Sequence, residues 1–121
     1  MSAHPKHRLE VEDIGDVTVV NFNDKNILEE VNIQIIGEQL FSLVQDLGRR
    51  KILLDFRGVE YFSSAALGKF ITLRKVLLAT GGKIVLCNAC HKILAALRQT
   101  NLIPALFVYT EDRESGLNQL A

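Results

Sequence analysis

Asp55-Phe56-Arg57-Gly58-Val59-Glu60-Tyr61-Phe62-Ser63-Ser64-Ala65-Ala66-Leu67-Gly68-Lys69-Phe70 reads as the end of a buried strand, a short loop and a helix that opens on two hydroxyls. The first four N–H groups of a helix have no partner within it, and the aligned peptide dipoles leave partial positive charge there. Ser63 is a good N-cap candidate, because its hydroxyl can accept from N–H groups two or three residues on. Ser64 then takes the first helical position, and the small residues Ala65, Ala66 and Gly68 leave the backbone around it open. A phosphate on either serine would be stabilised by that helix end, with about 1–3 charge-assisted hydrogen bonds to gain. The plainer reading, a Ser cap followed by a small surface residue, stands beside it.

Outward from this stretch the chain alternates between two periodicities. Residues 8–13 place Leu9 and Val11 between charged neighbours, Ile14-Gly15 supplies a turn, and residues 17–22 read as a second strand, so an N-terminal hairpin is expected. Residues 23–26 form a polar loop. Ile33, Ile36, Leu40, Val44 and Leu47 then recur at helical spacing up to Gly48. Residues 51–56 are nearly continuously apolar, as in a strand buried on both faces. The helix opening at Ser63 or Ser64 carries Ala66, Phe70, Leu73 and Leu77 on one stripe and stops at Gly81-Gly82. Residues 84–87 form another buried strand, and residues 89–100 a helix with Ile93, Leu94 and Leu97 inward. Pro104 breaks the chain before a last strand at residues 106–109, and residues 111–119 are expected to form a terminal helix. The order ββαβαβαβ(α) predicts an α/β fold with a mixed, mostly parallel sheet of about five strands and right-handed crossovers. Ligands of such folds gather at the carboxyl ends of the parallel strands, and Ser63-Ser64 follows one of them.

The chain has 121 residues, enough for one domain, with 48% hydrophobic and 23% charged residues. Residues 1–7 are expected to be a flexible tail and residues 8–121 a single domain. Fourteen basic and fourteen acidic side chains balance, so no basic face for direct nucleic-acid binding is indicated. No apolar run reaches the roughly 18–20 residues that cross a bilayer, and the first residues lack the apolar core of a signal peptide. A cytoplasmic protein without a membrane segment is therefore expected.

The 55–70 stretch resembles the signature of the STAS domain, in particular the stand-alone bacterial anti-sigma factor antagonists, where a strand and an apolar residue precede Asp-Ser-Ser-Gly-Leu-Gly. The resemblance extends from about Leu9 to Leu120, including the strand entry Gly81-Gly82-Lys83-Ile84-Val85-Leu86-Cys87 and the Leu102-Ile103 region. It implies a STAS fold and a non-catalytic switch in stress signalling and transcription regulation. Such a protein binds an anti-sigma factor that is also a serine kinase, and a serine phosphatase reverses the modification. Matching Leu67-Gly68 to the family's Leu-Gly puts Ser64 on the phosphorylated serine, with Ser63 as second choice, standing where the family has Asp. Ala65 and Ala66 stand where it has Ser and Gly. The resemblance also implies a partner-binding surface of Asp24, Glu30, Tyr61, Phe62, Ser63, Ala65 and Lys69, with Asp24 preferred to Glu30 as the acid near the serine. Off-stripe Ile35 and Phe41 hint at a contact face. Because the acidic cap is absent, a non-phosphorylated STAS scaffold or signalling adaptor is the alternative.

Cys87-Asn88-Ala89-Cys90 lies at a strand-to-helix junction, where a helix N-terminus can lower a thiol pKa, and suggests a thiol redox sensor through Cys87 and Cys90 as a further alternative. The apolar neighbours Val85 and Leu86 favour Cys87 as a small core residue. His91 beside Cys90, or His4 with His7, lacks the further ligands of a metal site. Gly81-Gly82-Lys83 sits between helix and strand, the reverse of a phosphate-binding loop. No cofactor fingerprint or catalytic triad is present, so neither cofactor nor metal is expected.

Overall fold

The apolar run after Arg50 is the middle of a sheet. The computed structural model describes residues 8–121, and the expected tail, with His4 and His7, lies outside them. Strand β4 (Lys51–Asp55) is flanked by β2 (Val17–Phe22) and β6 (Lys83–Cys87), both parallel to it. Outside these lie β1 (Leu9–Ile14), antiparallel to β2, and β7 (Val108–Thr110), parallel to β6. The order is β1-β2-β4-β6-β7. Alternation along each strand sorts the core into two layers. Val20, Phe22, Ile52, Leu54, Ile84 and Leu86 face the larger layer. Val17, Val19, Leu53, Val85 and Cys87 face the other. Both sides of the three central strands are therefore buried, which is why residues 52–54 and 84–87 are apolar without a break.

Helices α1 (Glu30–Gln45), α2 (Ser64–Ala79) and α3 (His91–Gln99) contribute to the larger layer; Ile33, Ile36, Leu40 and Val44 of α1 are buried, as are Ala66, Phe70, Leu73 and Leu77 of α2. The other face is closed by α5 (Arg113–Leu120), whose Leu120 is fully buried against β4 and β6 residues. Between α3 and β7, α4 (Leu102–Ala105) is a broken turn in which Ile103 has extended backbone angles.

Several sequence expectations shift. Leu47 lies beyond α1 and is 59% exposed, because the chain leaves the helix before Gly48, at φ +68°. Val11 is 45% exposed, since its strand is at the sheet edge. The last strand begins at Val108, not at residue 106, because Leu106 and Phe107 close α4 through their N–H bonds to Leu102 O. Two short strands, β3 (Asn26–Ile27) and β5 (Tyr61–Phe62), pair in parallel where loops were expected.

Helix α2 ends in a paired-carbonyl turn: the N–H of Gly81 donates to Leu78 O and that of Gly82 to Leu77 O, with Gly81 at φ +80°. A Cβ on Gly82 would collide with the backbone oxygen of Arg50, which cannot move without β4. Gly82→Ala should therefore destabilise the fold by about 1–3 kcal/mol, read as a lower urea midpoint at unchanged m-value.

Candidate functional site

The site is built where two loops leave the carboxyl ends of neighbouring parallel strands, β2 and β4. Lys25 O accepts from the N–H groups of Glu60 at 2.7 Å and Tyr61 at 3.4 Å, β3 then pairs with β5, and Ser63 N–H donates to Ile27 O at 3.1 Å. The loop entering α1 and the loop entering α2 thus form one hydrogen-bonded platform. Beneath it Phe22 and Phe56 stack at 5.1 Å, and Phe70 meets Phe22, Phe56 and Phe62 edge-on at 5.4–5.6 Å. That aromatic cluster fixes the height at which α2 begins.

Ser63 has extended backbone angles and its Oγ accepts from Ala66 N–H at 3.3 Å, as an N-cap does. Its hydroxyl is engaged and half-buried. Ser64 is exposed, is the first helical residue, and its hydroxyl makes no hydrogen bond among the described residues. No acidic side chain occupies the first turn of α2, so no acid of its own offsets the positive end of this 16-residue helix.

The expected contact residues divide into two groups. Glu30, Ser63, Ala65 and Lys69 line one open groove of about 810 Å³ between α1 and the start of α2, together with Leu28, Val31 and Ile35. Gly37 of α1 explains how Lys69 enters it: a Cβ there would sit 2.9 Å from Lys69 Cδ, so the alkyl stem of Lys69 crosses α1 at its one glycine. The others lie apart from that groove. Phe62 belongs to the aromatic cluster, and Tyr61 is 41% exposed with the Lys92 ammonium 5.4 Å from its ring centre. The Asp24 carboxylate is taken up by Arg8 at 2.8 Å in a largely covered pair, so it anchors the loop to the start of β1.

Sequence reasoning missed a polar hub under the same sheet edge. Asp55, fully buried at the end of β4, accepts from Asn88 Nδ2 at 3.0 Å, from Arg57 N–H at 3.0 Å and from Arg113 at 3.2 Å. Arg113 also donates to Asn21 Oδ1 at 2.8 Å and reaches Glu12, which ties α5 to the ends of β1, β2 and β4. Desolvation is the largest single influence on the Asp55 carboxyl and pushes its pKa up, but the hydrogen bonds from Asn88, Arg57, Asn21 and Arg113 together outweigh it and hold the pKa below the ordinary value. The signal available in the sequence was a lone acid closing an apolar strand.

Both cysteines are free thiols, and they differ in exposure. Cys87 is fully buried, and desolvation followed by the nearby Asp55 charge pushes its thiol up to about 12. Cys90 is half-buried, with its Sγ 3.9 Å from Glu60 O. No group of three or more His, Cys, Asp or Glu suited to a metal occurs among the described residues. Nor, among them, is any helix long and apolar enough to cross a membrane.

The sequence profile of the STAS domain matches residues 8–114. The chain belongs to the STAS domain family. Its fold is shared with TM1081 of Thermotoga maritima, at TM-score 0.82 and 22% identity over 99% of this chain and 94% of that one. An anti-sigma-factor antagonist (STAS) domain protein of Planctomyces limnophilus superposes at TM-score 0.81 and 22% identity over 93% and 97% of the two chains. The Bacillus cell-fate determinant SpoIIAA in its phosphorylated form does so at TM-score 0.74 and 13% identity over 93% and 99%. At these identities the likeness is one of fold: an α/β STAS fold whose five-stranded sheet is parallel except at β1.

Two measurements follow from this geometry. Asp55→Asn leaves Arg113 without its buried counter-ion and should cost about 3 kcal/mol, the lower end for breaking a buried pair because Arg113 is partly solvated. Since the folded pKa of Asp55 is depressed, its contribution is present above the unfolded pKa of about 3.9 and is lost as pH falls through the folded value. The stability gap between wild type and Asp55→Asn should therefore be constant near neutrality and close in acid. Thiol titration of the native protein near neutral pH should leave Cys87 unreacted, with both of the two cysteines reacting in denaturant.

Proposed function

We propose that this STAS domain is an anti-sigma factor antagonist, a non-catalytic binding switch thrown by phosphorylation of Ser64. The observation that carries the reading is the contrast between the two serines. Ser63 spends its hydroxyl on capping α2, whereas Ser64 presents an exposed, unpartnered hydroxyl at the positive end of that helix, beside an open groove. Unmodified, the surface from Tyr61 to Lys69, with Glu30 and the Asp24 loop, takes an anti-sigma factor that is also the serine kinase, and the sigma factor is released. The phosphorylated chain is freed from that partner and is restored by a phosphatase.

Electrostatics suffices for the switch. A phosphate adds about −1.5 to −2 charge, and burying it opposite a surface shaped for a neutral hydroxyl costs several kcal/mol. Turning a 99:1 complex into 1:99 needs about 5.5 kcal/mol. No rearrangement of the platform is required. SpoIIAA, which shares the fold, has been solved in phosphorylated and unphosphorylated forms. The replacement of the family's acidic residue by Ser63 favours one second reading, a STAS scaffold or signalling adaptor that is never phosphorylated.

Mass spectrometry of the protein from its own cells decides between them. The tryptic peptide of residues 58–69 contains Tyr61, Ser63 and Ser64, and phosphate is expected on Ser64. Ser64→Ala should bind the partner and escape the kinase, Ser64→Asp should bind it more weakly, and Ser63→Ala should mainly cost about 1 kcal/mol of capping stability. A Ser64→Asp variant that binds as tightly as wild type sinks the electrostatic switch, and a peptide unmodified under every condition selects the scaffold.

A further inference from the structure

The two faces of the sheet are covered unequally. On the larger layer α1 and α2, of 16 residues each, bury Ile33, Ile36, Leu40 and Val44 and Ala66, Phe70, Leu73 and Leu77. The second layer has, among the described residues, only the eight-residue α5, in which Gly116 and Leu120 are buried and Leu117 is half-buried. A helix of that length is not stable alone in water, so α5 is helical only while docked. Beneath it Val19, Leu53 and Cys87 have no exposed surface. Part of the contact is made by backbone: a Cβ on Gly116 would lie 2.6 Å from Leu53 Cδ1 and 3.1 Å from Thr110 Oγ1.

What α5 lacks in apolar contact is supplied by its first residue. Arg113 donates to Asp55 Oδ2 at 3.2 Å, to Asn21 Oδ1 at 2.8 Å and to Glu12 Oε1 at 3.2 Å, and so clasps β4, β2 and β1. Asp55 also accepts from Arg57 N–H, at the start of the loop that leads to β5 and Ser63. We propose that α5 is a latch. It undocks as a unit while the larger layer stays folded, and its release bares Cys87 and slackens the platform that carries Ser63 and Ser64. Elements with few buried apolar contacts are the ones that open below the global unfolding free energy. Without Arg113 the buried Asp55 charge has lost its cation, which is costly, so the end of β4 and the Arg57 turn follow the carboxylate toward water. The device goes beyond the switch reading and does not depend on it, because it operates without a partner or a phosphate.

The test combines amide hydrogen exchange with labelling of Cys87 by dithionitrobenzoate, on the whole chain with Cys90→Ser, at several urea concentrations below the unfolding transition. The docked state predominates, so a titration lasting minutes leaves Cys87 unreacted and labelling over hours reports the opening. Cys87 and the amides of α5 should share one opening, at least about 10-fold more populated than the unfolded chain. Its urea slope should be much shallower than that of global unfolding, because only part of the surface is exposed. The amides of Glu60, Tyr61 and Ser63, which hold the platform, should share it, whereas those of Leu40 and Leu73 open only with the whole chain. Gly116→Ala crowds Leu53 one turn from Arg113 and should raise Cys87 labelling and platform exchange by one common factor of about 10. Leu117→Ala, which trims a half-buried side chain, reads the same coupling should Gly116→Ala not fold. Labelling of Cys87 that follows urea with the slope of global unfolding overturns the latch. Exchange at Glu60, Tyr61 and Ser63 that does not respond when Cys87 labelling rises overturns its coupling to the platform.

Discussion

Burial of β4 on both faces is the constraint from which the rest follows. Ile52 and Leu54 point into one layer and Leu53 into the other, all with no exposed surface. A strand in that position needs parallel neighbours and covering helices on both sides, so each connection must cross the sheet and return. The loops at the carboxyl ends are the ones left free to vary. They are pinned to each other by β3 and β5 and to the sheet by Asp55. The fold therefore delivers a rigid platform at the one edge where the chain turns into α1 and α2.

Under the proposed switch, rigidity there has a functional meaning. A switch that acts by adding charge needs its surroundings held still, since a loop free to retreat would relieve the cost of burying a phosphate. The N–H of Ser63 is held by Ile27 O and its side chain by Ala66 N–H, and Phe70 is wedged against three other rings below. Ser64 inherits that fixity while keeping its own hydroxyl free. The adjacent serines differ not in chemistry but in which one the helix uses for itself.

How much of this was legible depends on the range of the interaction. Periodicity exposed the α2 stripe of Ala66, Phe70, Leu73 and Leu77, and the Ser63 cap was legible because a cap acts over three residues. The two-residue strands were not, because Asn26-Ile27 and Tyr61-Phe62 are extended only through each other, 35 residues apart in sequence. The Asp55 hub was hidden for the same reason: its partner Arg113 lies 58 residues away, on a helix whose polar sequence gave no hint of a buried contact. Asp24 was read as a loop residue, but its engagement by Arg8 depends on where β1 starts relative to β2. Lys69 was named as a surface residue; that it lies across α1 depends on Gly37, which in the sequence is only a weak spot in a helix.

The groove along α1 and the face beside Ser64 are one surface, since Ser63, Ala65 and Lys69 share a groove with Leu28, Val31 and Ile35. Under the proposed switch, a phosphate on Ser64 would stand beside a groove that already carries Glu30 and Glu38 against the single cation of Lys69. The added charge of about −1.5 to −2 would tip the groove further to the acidic side, so it would act on a partner seated there as well as on contacts to Ser64 itself.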